Sequence, residues 1–101
     1  MTRQQYLLTK LAEECSEVAQ RALKAAHFGP GEIQPGQPMT NAERLHQEFC
    51  DLIGVAYMLT HEFGIELLRW SHAEIEAKRI KVDKYMALAQ SLGMVEDGGP
   101  Y

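Results

Sequence analysis

The sequence is short of several things, and each shortage excludes a class of protein. Two of its 101 residues are cysteine, too few for a disulfide framework, so both are expected as reduced thiols. No apolar run approaches the ~18 residues of a membrane span. The start lacks the basic-then-apolar layout of a secretion signal. A cytoplasmic protein with no membrane partner is therefore expected. Basic charge is also scarce: ten Lys+Arg stand against fourteen Asp+Glu, a net charge of −4. Without a basic run there is no surface to neutralise phosphates, and nucleic acid is not expected as a partner. Neither GxxxxGKS/T nor GxGxxG occurs, which removes the folds that cradle phosphate in a glycine-rich loop. No segment alternates with period two, so strands are not expected. No internal repeat is visible.

What is there reads as one small domain. Three of the four prolines (Pro30, Pro35, Pro38) and three of the eight glycines (Gly29, Gly31, Gly36) fall within residues 29–38. That stretch cannot continue a helix and is a loop. Its length fits a lid or binding loop, or a plain connector. Glycines and a proline also crowd residues 93–101, which read as a flexible tail after a domain spanning 1–92.

The rest is patterned as helix. From Gln4 to Phe28, apolar residues recur at Leu7/Leu8, Leu11, Cys15, Val18, Ala22 and Ala26, the spacing of an amphipathic helix. A second helix follows Thr40, with Glu43 three residues on to close a capping box. Its apolar line runs Leu45, Phe49, Leu52, Val55/Ala56, Leu59 and Phe63, ending near Gly64. A short helical turn is expected over Ile65–Trp70. Ser71 and Glu74 then open a last helix through Ile75, Val82, Met86 and Ala89. The fold class is all-α, a bundle of about four helices. A chain of 11.4 kDa buries only about 60–65% of its unfolded surface, which favours a homo-oligomer.

Carboxylates interrupt this pattern. Glu14 and Glu17 stand three apart on the first helix, as do Glu48 and Asp51 on the second. Residues three apart share a helix face, where like charges repel. A divalent cation such as Mg²⁺ prefers oxygen ligands and would relieve both pairs. Solvated surface acids are the alternative. On a wheel with Leu45 at zero, Glu48 falls at about 300°, between Val55 at about 280° and Leu59 at about 320°. It sits inside the apolar stripe, and a buried carboxylate is costly unless paired or metal-bound. Glu14 lies at the stripe's edge beside Leu7, Val18 and Ala25, with Glu17 a step outward. Antiparallel packing through these faces would create an acidic pocket. On the last helix, Lys78, Tyr85 and Lys81 fall at about 300°, 280° and 240° from Ile75, on the flank of an inward stripe of Ile75, Val82 and Ala89. They fit an anion clamp, or snorkelling lysines with a core tyrosine. The four histidines lack the mutual spacing of zinc ligands. Cys15 and Cys50 read as small filler rather than nucleophiles.

At Glu13-Glu14-x-x-Glu17 followed by Glu48-x-x-Asp51, the chain resembles the all-α nucleoside triphosphate pyrophosphohydrolases, the MazG-like superfamily. Lys10-Leu-Ala-Glu-Glu-Cys-Ser-Glu-Val-Ala19 and Asn41-Ala-Glu-Arg-Leu-His-Gln-Glu-Phe-Cys-Asp-Leu52 carry the likeness, which covers roughly residues 5–92. The resemblance implies a helical bundle assembled as a homodimer or homotetramer. It implies Mg²⁺, with Mn²⁺ as a substitute, and hydrolysis of an NTP or dNTP to the monophosphate and pyrophosphate. Glu14, Glu17, Glu48 and Asp51 match the metal ligands. Glu13 matches a more variable acid that holds a further ion or orients the water, so Glu13, Glu14 and Glu17 form the catalytic run. Lys84-Tyr85 matches a phosphate-binding pair and Lys78 lies near an earlier lysine. Lys81 stands where the family carries Asn. Two other readings are a phosphoribosyl-ATP pyrophosphatase-like enzyme and a non-catalytic nucleotide-binding helical dimer.

Overall fold

The computed structural model describes residues 1–96 and is helical: α1 (Arg3–Phe28), α2 (Asn41–Phe63) and α3 (His72–Ser91). Among the described residues there is no β-strand, and no helix is long and apolar enough to cross a membrane. The chain divides into two compact units, Met1–Leu68 and Arg69–Tyr101.

The first unit is a helical hairpin. Thr2 caps α1, accepting from the Gln5 amide while the Gln5 side chain accepts from the Thr2 amide. Both ends of this capping box satisfy amides that an α-helix leaves orphaned. Thr40 and Glu43 form the same box on α2, as their spacing predicts. Gly64 closes α2 in the left-handed conformation at φ 67°, which a side chain would oppose. The helices run antiparallel, since Arg3 at the start of α1 makes two hydrogen bonds to the Glu62 carboxylate at the end of α2. Leu7, Ala25, Ala56 and Leu59 form the buried core, with Leu59 fully enclosed. Burying a leucine contributes about 1.5–3 kcal/mol, so this core is thin.

The loop between the helices is held down at its far end. Asn41, 2% exposed, donates from Nδ2 to the Gly29 carbonyl (2.9 Å) and to Glu32 Oε1 (3.2 Å). Its amide donates to the Glu32 carbonyl and the Ala42 amide to the Pro30 carbonyl, each at 2.9 Å. Arg44 donates to Gln34 Oε1. The Pro/Gly segment is thus stitched to the first turn of α2.

Two expectations need correction. In place of about four helices the described residues form three, because Ile65–Trp70 forms no helical turn. The Thr60 hydroxyl donates to the Ile65 carbonyl (2.8 Å) and accepts from the Leu67 amide (3.3 Å), capturing backbone groups a turn would use. The inward stripe of the last helix is also not buried. In the second unit α3 has no buried residue, and Ile75 and Val82 are exposed. Ile80 and Leu88 lie about 140° and 220° around the helix from Ile75, so its apolar residues do not share one face. Ser71 caps α3, accepting from the Glu74 amide, and Arg79 bridges Glu76 and Asp83 on its surface. After α3 the Gly93 and Met94 amides return to the carbonyls of Gln90 and Ala89. Of the tail expected over 93–101, residues 97–101 lie outside the described residues.

Candidate metal centre

The middle of the α1–α2 seam is acidic. Apolar periodicity brings the two stripes together, and Glu14 and Glu48 ride on them. Carboxylate oxygens of Glu14, Glu17 and Glu48 all lie within 4.8 Å of one another. Glu14 and Glu48 are half-buried, whereas Glu17 is exposed. One oxygen of each buried partner, Glu14 Oε2 and Glu48 Oε2, is shielded from solvent and has no hydrogen-bond partner. Buried polar atoms are nearly always paired, so two orphans side by side require an explanation.

Electrostatics point the same way. Desolvation pushes the Glu14 carboxyl above its ordinary value of 4.5, and the charges of Glu17 and Asp51 add to this against a smaller opposing pull from Lys10. Glu48 is raised chiefly by a hydrogen bond with Glu17, then by desolvation and the charges of Glu17, Asp51 and Glu14. A hydrogen bond between two carboxyl groups needs a proton between them. Without a cation Glu14 and Glu48 therefore hold protons more tightly than isolated acids do.

The remaining sequence candidates are placed differently. Asp51 is exposed at the rim and outside the close trio, though its charge reaches both Glu14 and Glu48. Glu13 turns outward and pairs with Lys10 Nζ at 3.0 Å. Lys78, Lys81, Lys84 and Tyr85 lie on α3 in the second unit, all exposed. The buried Asn41 escaped the sequence reading, because nothing in local spacing shows that a polar side chain will anchor a loop nine to twelve residues away. The lysine three residues before Glu13 was a readable signal for its outward pairing.

The donor set fits a hard divalent cation. All three clustered residues offer carboxylate oxygens, the type Mg²⁺ and Mn²⁺ prefer. No family model, no curated protein and no solved structure gives a significant match to the chain.

Proposed function

We propose that the chain is a Mg²⁺-dependent nucleoside triphosphate pyrophosphohydrolase of MazG-like type, working as a homo-oligomer. One observation carries this reading: acids from two helices converge in the seam and leave Glu14 Oε2 and Glu48 Oε2 shielded and unpartnered. That arrangement costs stability unless a cation satisfies it.

Glu14, Glu17 and Glu48 would hold the ion, with Asp51 completing the set from the rim. When bound, Mg²⁺ supplies charge neutralisation at the phosphates and a more acidic water. Glu17, the exposed member of the cluster, would be the carboxylate of the run that acts as base toward a water at the mouth of the seam. Glu13, paired with Lys10, would hold a further ion or orient the water. Lys78, Lys81, Lys84 and Tyr85 are the proposed phosphate-binding groups. Their ammonium charges and phenol suit the oxygens of a leaving pyrophosphate.

The test is pyrophosphate release from a panel of NTPs, dNTPs and phosphoribosyl-ATP, with and without Mg²⁺. Release that requires the metal is the expected result, and the preferred substrate separates nucleotide hydrolysis from the phosphoribosyl-ATP reaction. No metal-dependent release from any of them would overturn the enzymatic reading.

A further inference from the structure

A second donor pair lies on the other side of α2 from the acidic seam. His46 and Cys50 are four residues apart, and His46 Nε2 and Cys50 Sγ stand 3.5 Å from each other. At 100° per residue they point about 160° to 200° away from Glu48, so they belong to a different face of the helix. Both are exposed. They line a hollow of about 490 Å³ whose wall also carries Met39, Glu43 and Asp51. A thiol, an imidazole, a thioether and two carboxylates thus surround one depression. Glu43 Oε1 is engaged by the Thr40 amide, whereas Asp51 forms no hydrogen bond or ion pair among the described residues. Nothing in the proposed hydrolysis uses Cys50 or His46.

The geometry points to a binding site for a thiolate-preferring divalent cation of the zinc class, chelated by Cys50 Sγ and His46 Nε2. The donor types separate it from the seam: sulfur and imidazole nitrogen select borderline and soft ions, whereas the carboxylate trio selects hard ones. An i,i+4 pair on a rigid helix is already near chelating separation, so little side-chain rearrangement opposes binding. The Cys50 proton is released to solvent as the metal–sulfur bond forms, and the imidazole binds in its neutral form. Glu43 in the same hollow adds favourable charge. With two strong protein donors, the other coordination positions fall to water or a small molecule. Cys15 is an internal control: it is also an exposed thiol, but no histidine lies four residues from it in either direction.

Cadmium is the probe, because its bond to sulfur produces an ultraviolet charge-transfer band that carboxylates do not give. The full chain is titrated with Cd²⁺ in excess Mg²⁺, which keeps the acidic seam from competing. The expected result is one equivalent of Cd²⁺ bound with the band present. C50S should lose the band and C15S should keep it. H46Q should weaken binding by at least about tenfold, since even indirect metal partners are worth about 10–100-fold in affinity. Both side chains are exposed, and far-UV circular dichroism confirms that each variant keeps its helices. No band in the wild type, equal affinity in H46Q, or a band lost in C15S would each overturn the site.

Discussion

Replacing Glu48 by Gln should change the stability of the protein in opposite directions with and without metal. The amide keeps the shape of the side chain and removes its charge. Without metal, Glu48 sits within 4.8 Å of oxygens on Glu14 and Glu17, and its carboxyl is pushed up by that neighbourhood and by desolvation. Gln ends the repulsion and can donate to either neighbour, so the variant in EDTA should melt above wild type. In Mg²⁺ the order reverses. At ten times its Kd a ligand stabilises the native state by RT ln 11, about 1.4 kcal/mol. A domain of this size shifts by about 4–8 °C per kcal/mol, so the wild type should gain roughly 6–11 °C. Losing a ligand weakens affinity by about 10–100-fold or more, which leaves about 0.4 kcal/mol or less and under about 3 °C. Thermal melts followed by far-UV circular dichroism, in EDTA and in titrated Mg²⁺, read both signs. Pyrophosphate release should be abolished while helical content is kept. An unchanged magnesium increment removes Glu48 from the ligand set. A metal-free variant that melts below wild type removes the repulsion.

The pH dependence of the metal-free protein follows from the same groups. Glu14 and Glu48 bind protons more tightly folded than unfolded, since each is raised above its ordinary 4.5. Between that value and the raised ones the native state holds more protons, so stability falls as pH rises through this window. Melts in EDTA should therefore rise as the pH is lowered toward that ordinary value, and a flat or falling curve would refute the linkage. Glu43 acts oppositely: the Thr40 hydrogen bonds hold it below 4.5, so its contribution is present above that value and lost only at lower pH. Asn41→Ala removes the bonds to Gly29 and Glu32 and should cost about 1–3 kcal/mol, because two hydrogen bonds from a buried side chain are lost, one of them to a carboxylate. Urea unfolding measures it; a midpoint like the wild type's would show that the loop does not depend on this anchor.

Much of the hairpin was readable because its signals are local. Thr40 with Glu43, Gly29 and Gly64 mark ends that follow from capping chemistry alone. Thr2 with Gln5 has the same spacing, and reading the box with Gln as well as Glu would have placed the start of α1 at Arg3. Ile65–Trp70 failed for a non-local reason, since the Thr60 hydroxyl takes two backbone groups from that stretch. The last helix and its Ser71 cap were legible, but its inward stripe was not, because a wheel centred on Ile75 gives no weight to Ile80 and Leu88 on its other sides. At the site, the wheel was informative for Glu48, whose charge lies within an apolar stripe. It also separates Glu14 from Glu13: from Leu7, Glu14 falls at about 340° within the stripe and Glu13 at about 240° outside it, where Glu13 pairs with Lys10.

The arrangement of the core explains how three mutually repelling acids hold a fixed geometry. Leu7, Ala56, Leu59 and the Arg3–Glu62 pair secure one end of the hairpin. Ala25, the buried Asn41 and the stitched loop secure the other. Glu14, Glu17 and Glu48 fall between these two anchored ends. Repulsion in the middle can splay the helices only by breaking packing or buried hydrogen bonds at an end, and those are the most enclosed contacts in the unit. A cluster restrained from both sides is preorganised for a cation, because the ligands need not be gathered when it arrives. The same restraint keeps the acids close when no cation is present, and raises the proton affinity of Glu14 and Glu48. A proton and a bound cation would thus compete for the same oxygens, and the stiffness of the hairpin would bear on both.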